Sequence, residues 1–188
     1  MACVAHLESR SKWLHETFET KTHDHEDHTF SGVMFDVAVN CQDIPVEAFE
    51  INALWVRGGL GPIKVYWTED SFKGKHNQPL LWKLLYEGEH RPCFNELVQL
   101  QFPRGLSVSI GQSVGLYVHS SAVTDESIVY DNQRGKGEYN DAFITIMPGL
   151  AHLFHRPFEN NSPWGGSGWR DRRQFVGKVG YGKVLVTC

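Results

Sequence analysis

The residues whose types and spacing could do chemistry stand close together near the start of the chain. Residues 22–28 read "THDHEDH", in which histidines are interleaved with acidic residues. Imidazole and carboxylate groups suit a borderline divalent cation such as zinc, and a hydrolytic zinc site combines three protein ligands with an open position for water. The candidate metal ligands in this string are His23, His25, Asp27 and His28.

The string resembles the metal-binding signature of metallo-β-lactamase-type hydrolases. In that family the signature follows a buried apolar strand and helices cover both sheets, whereas here the polar stretch "HETFETK" stands before it. The family also needs ligands from downstream loops, and the later histidines occur in no matching motif: His76, His90, His119, His152 and His155. We therefore predict a solvated polar linker without a bound metal or cofactor, and keep a metallohydrolase as the less favoured alternative.

Composition indicates the broad class of protein. The chain has 188 residues, of which 41% are hydrophobic and 21% charged, and this balance is typical of one globular domain with its own core. The net charge is −4 and the pI is about 6.2. Nucleic acid is not an expected partner, because proteins that bind polyanions are usually strongly basic.

Cysteine spacing and hydropathy indicate the cellular compartment of the protein. The four cysteines are isolated and lack C-x-x-C spacing: Cys3, Cys41, Cys93 and Cys188. This pattern indicates reduced thiols rather than a disulfide framework or a zinc ribbon. The start "MACVAHLESRSK" lacks the pattern of a signal peptide, and no window approaches the roughly 18 apolar residues of a spanning helix. We therefore expect a cytoplasmic or otherwise intracellular protein that does not span a membrane.

The N-terminal 29 residues differ in pattern from the rest. Leu7, Leu14 and Phe18 recur at helical spacing beside Trp13, with polar residues between them. The spacing predicts a short amphipathic helix over residues 7–19, followed by a polar linker that ends at residue 29. We expect Trp13, Leu14 and Phe18 to dock this N-terminal arm on another chain.

From residue 30 onward the period of the apolar residues is two. "VEAFEINALWV", "IKVYWT", "LVQLQF" and "LSVSI" alternate apolar and polar side chains, and turn words such as "RGGLGP", "FPRG" and "GQSVG" separate them. Short strands with a turn signal roughly every dozen residues predict an antiparallel sheet structure. The predicted fold is an all-β, jelly-roll-like antiparallel β-sandwich over residues 30–188.

Two loops carry candidate binding residues. In "SPWGGSGWRDRR", Trp164 and Trp169 flank a Gly/Ser stretch before Arg170, and exposed tryptophan beside arginine is typical of binding hot spots. Either tryptophan could instead fold back onto the rim of the sandwich. The loop from Asp131 to Asp141 carries oxygen groups that could bind calcium, or that could cap their own backbone as turn residues do.

The order of the strand words resembles that of PHR-like domains, the β-sandwich modules of Pam/Highwire-type proteins and their microbial relatives. The resemblance runs through "SGVMFDVAV", "IKVYWTEDSFKGK", "FPRGLSVSIGQSVGLYVHS", "YNDAFITIMPG" and "RRQFVGKVGY", and covers about residues 30 to 182. The matching positions are Asp36, Tyr66, Trp67, Thr68, Gly74, Gly111, Asp141 and Gly149. The resemblance implies a compact sandwich used for protein recognition. Animal relatives carry RING or BTB domains beside it, and no RING pattern of cysteine and histidine is present here.

These observations favour a non-catalytic protein-interaction module, PHR-like in fold, that serves as an adaptor or a subunit of a larger assembly with a protein partner. The alternative is a jelly-roll module that binds carbohydrate or another small ligand through Trp164, Trp169 and the loop of residues 131–141. The missing signal peptide and the lack of paired cysteines disfavour this alternative.

Overall fold

The chain folds into strands, as its two-residue periodicity predicts. The computed structural model describes residues 16–40, 46–161 and 165–185. The strands of these residues are β1 Thr17–Lys21, β2 His28–Phe30, β3 Gly32–Val39, β4 Val46–Gly58, β5 Gly61–Glu69, β6 Lys83–His90, β7 Cys93–Ser109, β8 Ser113–Ser120, β9 Ile128–Asn132, β10 Tyr139–Asn140, β11 Ile144–Ile146, β12 Gly149–His152, β13 Trp169–Phe175 and β14 Lys178–Leu185.

The strands form two antiparallel sheets that pack face to face. The smaller sheet has four strands in the order β1-β14-β4-β7. The larger sheet has ten strands, eight of them in the order β2-β9-β13-β12-β3-β8-β5-β6, while β11 pairs with β3 and with β10. The predicted antiparallel β-sandwich is therefore confirmed.

The core lies between the sheets because every second residue of their strands is apolar. Val33, Phe35 and Val37 on β3 are buried there, and Phe35 stacks on Phe175 of β13 with ring centroids 4.2 Å apart. The smaller sheet contributes buried residues such as Ile51. Burial of each large apolar side chain stabilises the fold by about 1.5–3 kcal/mol.

The N-terminal segment corrects one prediction. Trp13 and Leu14 lie outside the described residues, but residues 17–19, expected to end a helix, begin strand β1. Strand β1 pairs along its whole length with β14, and Phe18 packs on Tyr181 and Phe143 at ring-centroid distances of 5.5 and 4.9 Å. The edge of β14 thus supplies hydrogen-bond partners and an apolar surface, and these contacts outweigh the helical preference of the local sequence.

The stretch predicted as a polar linker, residues 20–29, also belongs to the sandwich. Thr20 and Thr22 are buried, and Thr22 exchanges hydrogen bonds with Gly177, whose carbonyl accepts from the Thr22 amide at 3.0 Å. Strand β2 then pairs with β9 of the larger sheet. The stretch therefore crosses from one sheet to the other instead of tethering a separate arm.

Helices contribute little to the described part of the chain. Its one helical element is a three-residue 3₁₀ turn, Pro79–Leu81. Within these residues, no helix has the length and apolar character needed to cross a membrane.

Candidate functional site

A second apolar cluster covers the outer face of the larger sheet, the face turned away from the smaller sheet. Met34 alternates with core residues of β3 and therefore points outward, as does its neighbour Tyr117 on β8. Phe72 and Trp82 from the loop of residues 70–82 pack on them, together with Trp169 at the start of β13. All five side chains are buried, so the sandwich has a small additional core outside its main one.

This outer cluster is built on a row of residues in register across five strands. The row runs through Leu150 on β12, Met34 on β3, Tyr117 on β8, Tyr66 on β5 and Leu84 on β6. Directly paired residues point to the same face of a sheet. The middle of the row lies beneath the loops, whereas Leu84 at its end is 51% exposed. The apolar row therefore continues from the covered cluster to the edge of the sheet.

Hydrogen bonds fix the loop of residues 70–82 on this face. The buried Asp36 carboxylate accepts hydrogen bonds from the Ser71 hydroxyl at 2.5 Å and the Phe72 amide at 2.9 Å. Burial raises the pKa of Asp36 despite these two hydrogen bonds. The Trp82 indole donates to the Lys75 carbonyl at 3.0 Å. Both ends of the loop are thereby attached to the outer cluster.

Two further features bring this loop close to the sheet. The Trp169 indole donates to the Asn77 side-chain carbonyl at 2.8 Å. Gly115 on β8 lies directly beneath the loop, and a Cβ atom there would come within 2.7 Å of the Phe72 nitrogen. Glycine is needed at this position because any side chain would push the loop outward. The path of the loop is thus determined at three separate points.

The far end of this loop presents apolar side chains to solvent. Leu80 and Leu81 in the 3₁₀ turn are 97% and 47% exposed. The turn is held by main-chain bonds from Leu81 to Gln78 and from Trp82 to Pro79. A depression of about 300 Å³ lies beside them, lined by Thr68, Glu69, Asp70, Lys75, Leu80, Leu81 and Lys83. The two leucines are therefore exposed on a well-ordered turn.

Among the described strands, β6 forms an edge of the larger sheet next to these leucines. It ends the larger sheet, and β5 is its pairing partner among the described strands. An edge strand presents unpaired N–H and C=O groups along its outer side. Leu80, Leu81 and Leu84, together with the outer side of β6, are called the leucine edge below. This surface combines exposed apolar side chains with a main-chain edge that can pair.

A second loop, residues 153–161, covers the other part of the outer face through two buried histidines. His152 Nε2 donates to the Glu159 carbonyl at 2.8 Å, so its Nδ1 accepts from the Tyr117 hydroxyl at 2.7 Å. His119 Nε2 donates to the Phe154 carbonyl at 3.0 Å. Burial lowers the pKa of His119 to about 3 and that of His152 to about 4. Both imidazoles are therefore neutral at physiological pH and hold the loop through its main chain.

The histidine string of residues 22–28 is divided among separate partners. Arg57 binds both Asp24 and Asp27, with its Nη2 atom 2.5 and 2.6 Å from their carboxylate oxygens. Glu26 contacts Arg134 at 2.6 Å, and this hydrogen bond is the main reason that its pKa is lowered to about 2. The acidic groups of the string thus neutralise arginines.

His28 lies apart from the other two histidines of the string. His28 Nε2 lies 2.8 Å from the Asn132 side-chain nitrogen, and its ring stacks on Tyr130. His23 Nδ1 and His25 Nε2 face each other at 3.2 Å, and both rings are exposed. Among the described residues, no group of three or more His, Cys, Asp or Glu side chains converges as a metal site would require. The four predicted candidates, His23, His25, Asp27 and His28, are thus not brought together.

The two aspartates at the ends of the loop 131–141 accept hydrogen bonds from backbone amides. The Asp131 carboxylate accepts from the amides of His25 and Glu26, each at 2.8 Å. Asp141 accepts from the amides of Phe143 and Ile144 at 2.8 and 2.9 Å. Asp141 thus shows the local turn chemistry that the sequence offered as the alternative to a calcium site, whereas Asp131 binds the backbone of a distant segment.

The predicted binding residues lie in different environments. Trp164 lies outside the described residues, as do Trp13 and Leu14. Phe18 is part of the sandwich. Trp169 is only 6% exposed, because its ring stacks on His152 at 4.1 Å and enters the outer cluster. Of the two alternatives that the sequence left open for Trp169, folding back onto the sandwich is the one observed.

Arg170 follows this buried tryptophan and turns back on its own loop. Its Nη1 atom donates to the carbonyls of Ser167 at 2.9 Å and Trp169 at 3.2 Å. The leucine edge, by contrast, was not among the predicted binding residues. Its signal in the sequence is "PLLWKLL", in which two pairs of leucines follow a proline.

Comparison of the chain with models of known protein families and with curated proteins gives no match. The resemblance to PHR-like domains therefore stays a prediction based on strand patterns. Function has to be argued from the geometry of the site, since a fold alone supports many functions.

Proposed function

We propose that this protein is a non-catalytic protein-interaction module that binds its partner at the leucine edge. The observation that carries the proposal is the exposure of Leu80, at 97%, on a turn that the outer cluster holds in place. An exposed side chain contributes little to folding, whereas a rigid apolar anchor suits binding. The role as an adaptor or subunit of a larger assembly rests on the same surface.

The energetics favour a partner at this surface. Full burial of an exposed leucine side chain contributes about 1.5–3 kcal/mol. Leu80 can gain nearly all of this, whereas Leu81 and Leu84 are 47% and 51% exposed and can each gain about half, so the three leucines together offer about the burial of two full side chains. Binding also costs conformational entropy for every side chain or loop that has to be ordered. Asp36, Trp82 and Trp169 already order the loop of residues 70–82 in the free protein. This preorganisation lowers the cost of binding.

The geometry favours an extended segment of another protein as the occupant. Such a segment can pair with the outer side of β6 and continue the larger sheet by one strand, while its apolar side chains rest on Leu80, Leu81 and Leu84. Main-chain pairing supplies affinity, and the leucines together with the adjacent depression select the side chains. The surface also carries the exposed ion pair of Lys83 with Glu69 at 3.1 Å, which favours a polar rim around the apolar contact.

The carbohydrate-binding alternative loses part of its basis. It used Trp169 as an exposed binding residue, and this side chain is buried. In the loop 131–141, Asp131 and Asp141 accept hydrogen bonds from backbone amides. The docking role that we predicted for Trp13, Leu14 and Trp164 stays a prediction, to which the leucine edge adds an independent contact.

The test is a comparison of matched surface variants of the full chain. Leu80 and Leu81 are replaced together by serine, and Val123, which is 85% exposed in another loop, is replaced by serine as the control. Proteins captured from native extract by wild type and by each variant are then quantified by mass spectrometry. A specific partner is recovered by wild type and V123S and lost with L80S/L81S. Equal recovery of every captured protein by all three chains would refute the leucine edge as the docking surface.

Hydrogen exchange tests the mode of binding. Once a partner is identified, strand addition protects backbone amides of residues 83–90 in the complex, because free N–H groups of β6 acquire acceptors. A complex that protects only the loop 70–82 would show side-chain docking without strand pairing.

A further inference from the structure

Two histidines of the string, His23 and His25, take no part in the ion pairs that its acidic residues form. Asp24 and Asp27 bind Arg57, Glu26 binds Arg134, and His28 stacks on Tyr130. His23 and His25 instead turn ring nitrogens toward each other, His23 Nδ1 lying 3.2 Å from His25 Nε2. Both rings are exposed, so neither is needed to fill the core.

We propose that His23 and His25 form a two-imidazole binding site for a late first-row transition-metal ion, with Cu²⁺ as the best fit. The distance between the two nitrogens supports this. With metal–nitrogen bonds of about 2.0–2.1 Å, a separation of 3.2 Å gives a nitrogen–metal–nitrogen angle of about 100°. That angle lies between the square-planar and tetrahedral values, so the separation suits one ion bound to both nitrogens once the exposed rings turn their lone pairs toward it.

The backbone around the pair is already fixed. Thr22, immediately before His23, exchanges hydrogen bonds with Gly177. The amide of His25 donates to the Asp131 carboxylate at 2.8 Å. Between the two histidines, Asp24 is held by Arg57. The chain around the chelating residues is therefore held before an ion binds, and the His23 ring also rests edge-on against Tyr139 at a ring-centroid distance of 5.0 Å.

The tautomers of neutral imidazole allow an ion to take the place of the hydrogen bond between the two rings. In the neutral form, one of the facing nitrogens carries the hydrogen that bridges the pair. That proton can move to the other nitrogen of the same ring, since neutral imidazole has two tautomers. Both facing nitrogens then present lone pairs.

The ligand chemistry selects the class of ion. Imidazole suits copper, nickel and zinc, and affinity in that group is greatest for Cu²⁺. Hard cations such as Ca²⁺ and Mg²⁺ require oxygen ligands, and arginines already neutralise the nearby carboxylates of Asp24 and Glu26. A depression of about 420 Å³ adjoins the pair, lined by Lys21, Thr22, His23, Asp24 and His25. It leaves room for water molecules to complete the coordination.

The test is Cu²⁺ binding to the full chain, measured by calorimetry and by electron paramagnetic resonance. We expect one equivalent of Cu²⁺ whose spectrum shows hyperfine coupling to two nitrogens. H23A or H25A weakens binding about tenfold or more, because the second imidazole of a chelate binds at high effective concentration. The control H28A, an exposed histidine of the same string, binds as wild type does.

Three outcomes would overturn the proposal. One is equal loss in H28A and H23A, which would indicate that the whole string acts as one site. Another is full retention of the two-nitrogen spectrum in H23A/H25A, which would locate the copper at other histidines. The third is the absence of any bound equivalent in wild type. This site is independent of the leucine edge, so its failure would leave the proposed function untouched.

Discussion

The Asp141 carboxylate offers a test of how the N-terminal segment is attached. It accepts hydrogen bonds from the hydroxyls of Thr20 on β1 and Tyr181 on β14. Replacing Asp141 by Asn keeps the volume but removes the charge, and a hydrogen bond to a charged group contributes about 1.5–3 kcal/mol. Asp141 is exposed to solvent, which screens the charge and reduces this contribution. We therefore expect D141N to lower the free energy of unfolding by about 1–2 kcal/mol near pH 7.

The decrease in the free energy of unfolding caused by D141N depends on pH. Burial raises the pKa of Asp141, but the hydrogen bonds from Thr20 and Tyr181 outweigh burial, so the pKa lies below its usual value of 3.8. A carboxyl whose pKa is lower in the folded state stabilises the protein above its unfolded-state pKa, and this stabilisation disappears as the pH falls through the folded-state pKa. The difference between wild type and D141N is therefore largest at neutral pH and shrinks below about pH 4.

The assay is urea unfolding of a double-mutant cycle. Thr20→Val removes the hydroxyl with little change of volume, and we expect a coupling energy of about 0.5–1.5 kcal/mol between T20V and D141N. Thr29→Val, on β2, is the control and should show no coupling. Zero coupling for T20V, or a loss in D141N that stays constant down to about pH 3, would refute the attachment of β1 through this carboxylate.

The remaining predictions concern the outer face. Trp169→Ala lowers the free energy of unfolding by about 3–5 kcal/mol in urea titrations, as expected of a buried ring, and a loss below about 1 kcal/mol would contradict its burial. Gly115→Ala costs about 1–3 kcal/mol and speeds hydrogen exchange in the loop 70–82, because its Cβ meets the Phe72 nitrogen. L80S/L81S changes the melting temperature by no more than about 2 °C, since exposed leucines contribute little to folding.

The sandwich could be predicted because its pattern is local. Phe49 and Ile51 alternate with polar residues in the sequence, and both are buried between the sheets. The N-terminal segment could not be assigned in this way, because Phe18 fits both a helical and an alternating pattern. Its strand is decided by the edge of β14, more than 150 positions along the chain, to which the sequence near Phe18 gives no clue.

The candidate surface depends on register, which the sequence does not state. Leu84 lies at the end of an apolar row because Tyr66 pairs with it on one side and with Tyr117 on the other. The alternating sequence patterns show that these residues occur in strands but do not show which strands are neighbours. Trp169 was undecided for the same reason, since its burial depends on Asn77 in a distant loop.

The anchoring of the loop 153–161 has a consequence for how this surface can change over generations. His119 and His152 hold the main-chain carbonyls of Phe154 and Glu159, and a carbonyl is present whatever side chain the residue carries. Substitutions at these two positions can therefore alter the chemistry of the surface while the path of the loop is retained. The two histidines, by contrast, have little freedom to vary. The outer face thus combines an anchor that depends on two histidine side chains with a loop that is held through its main chain.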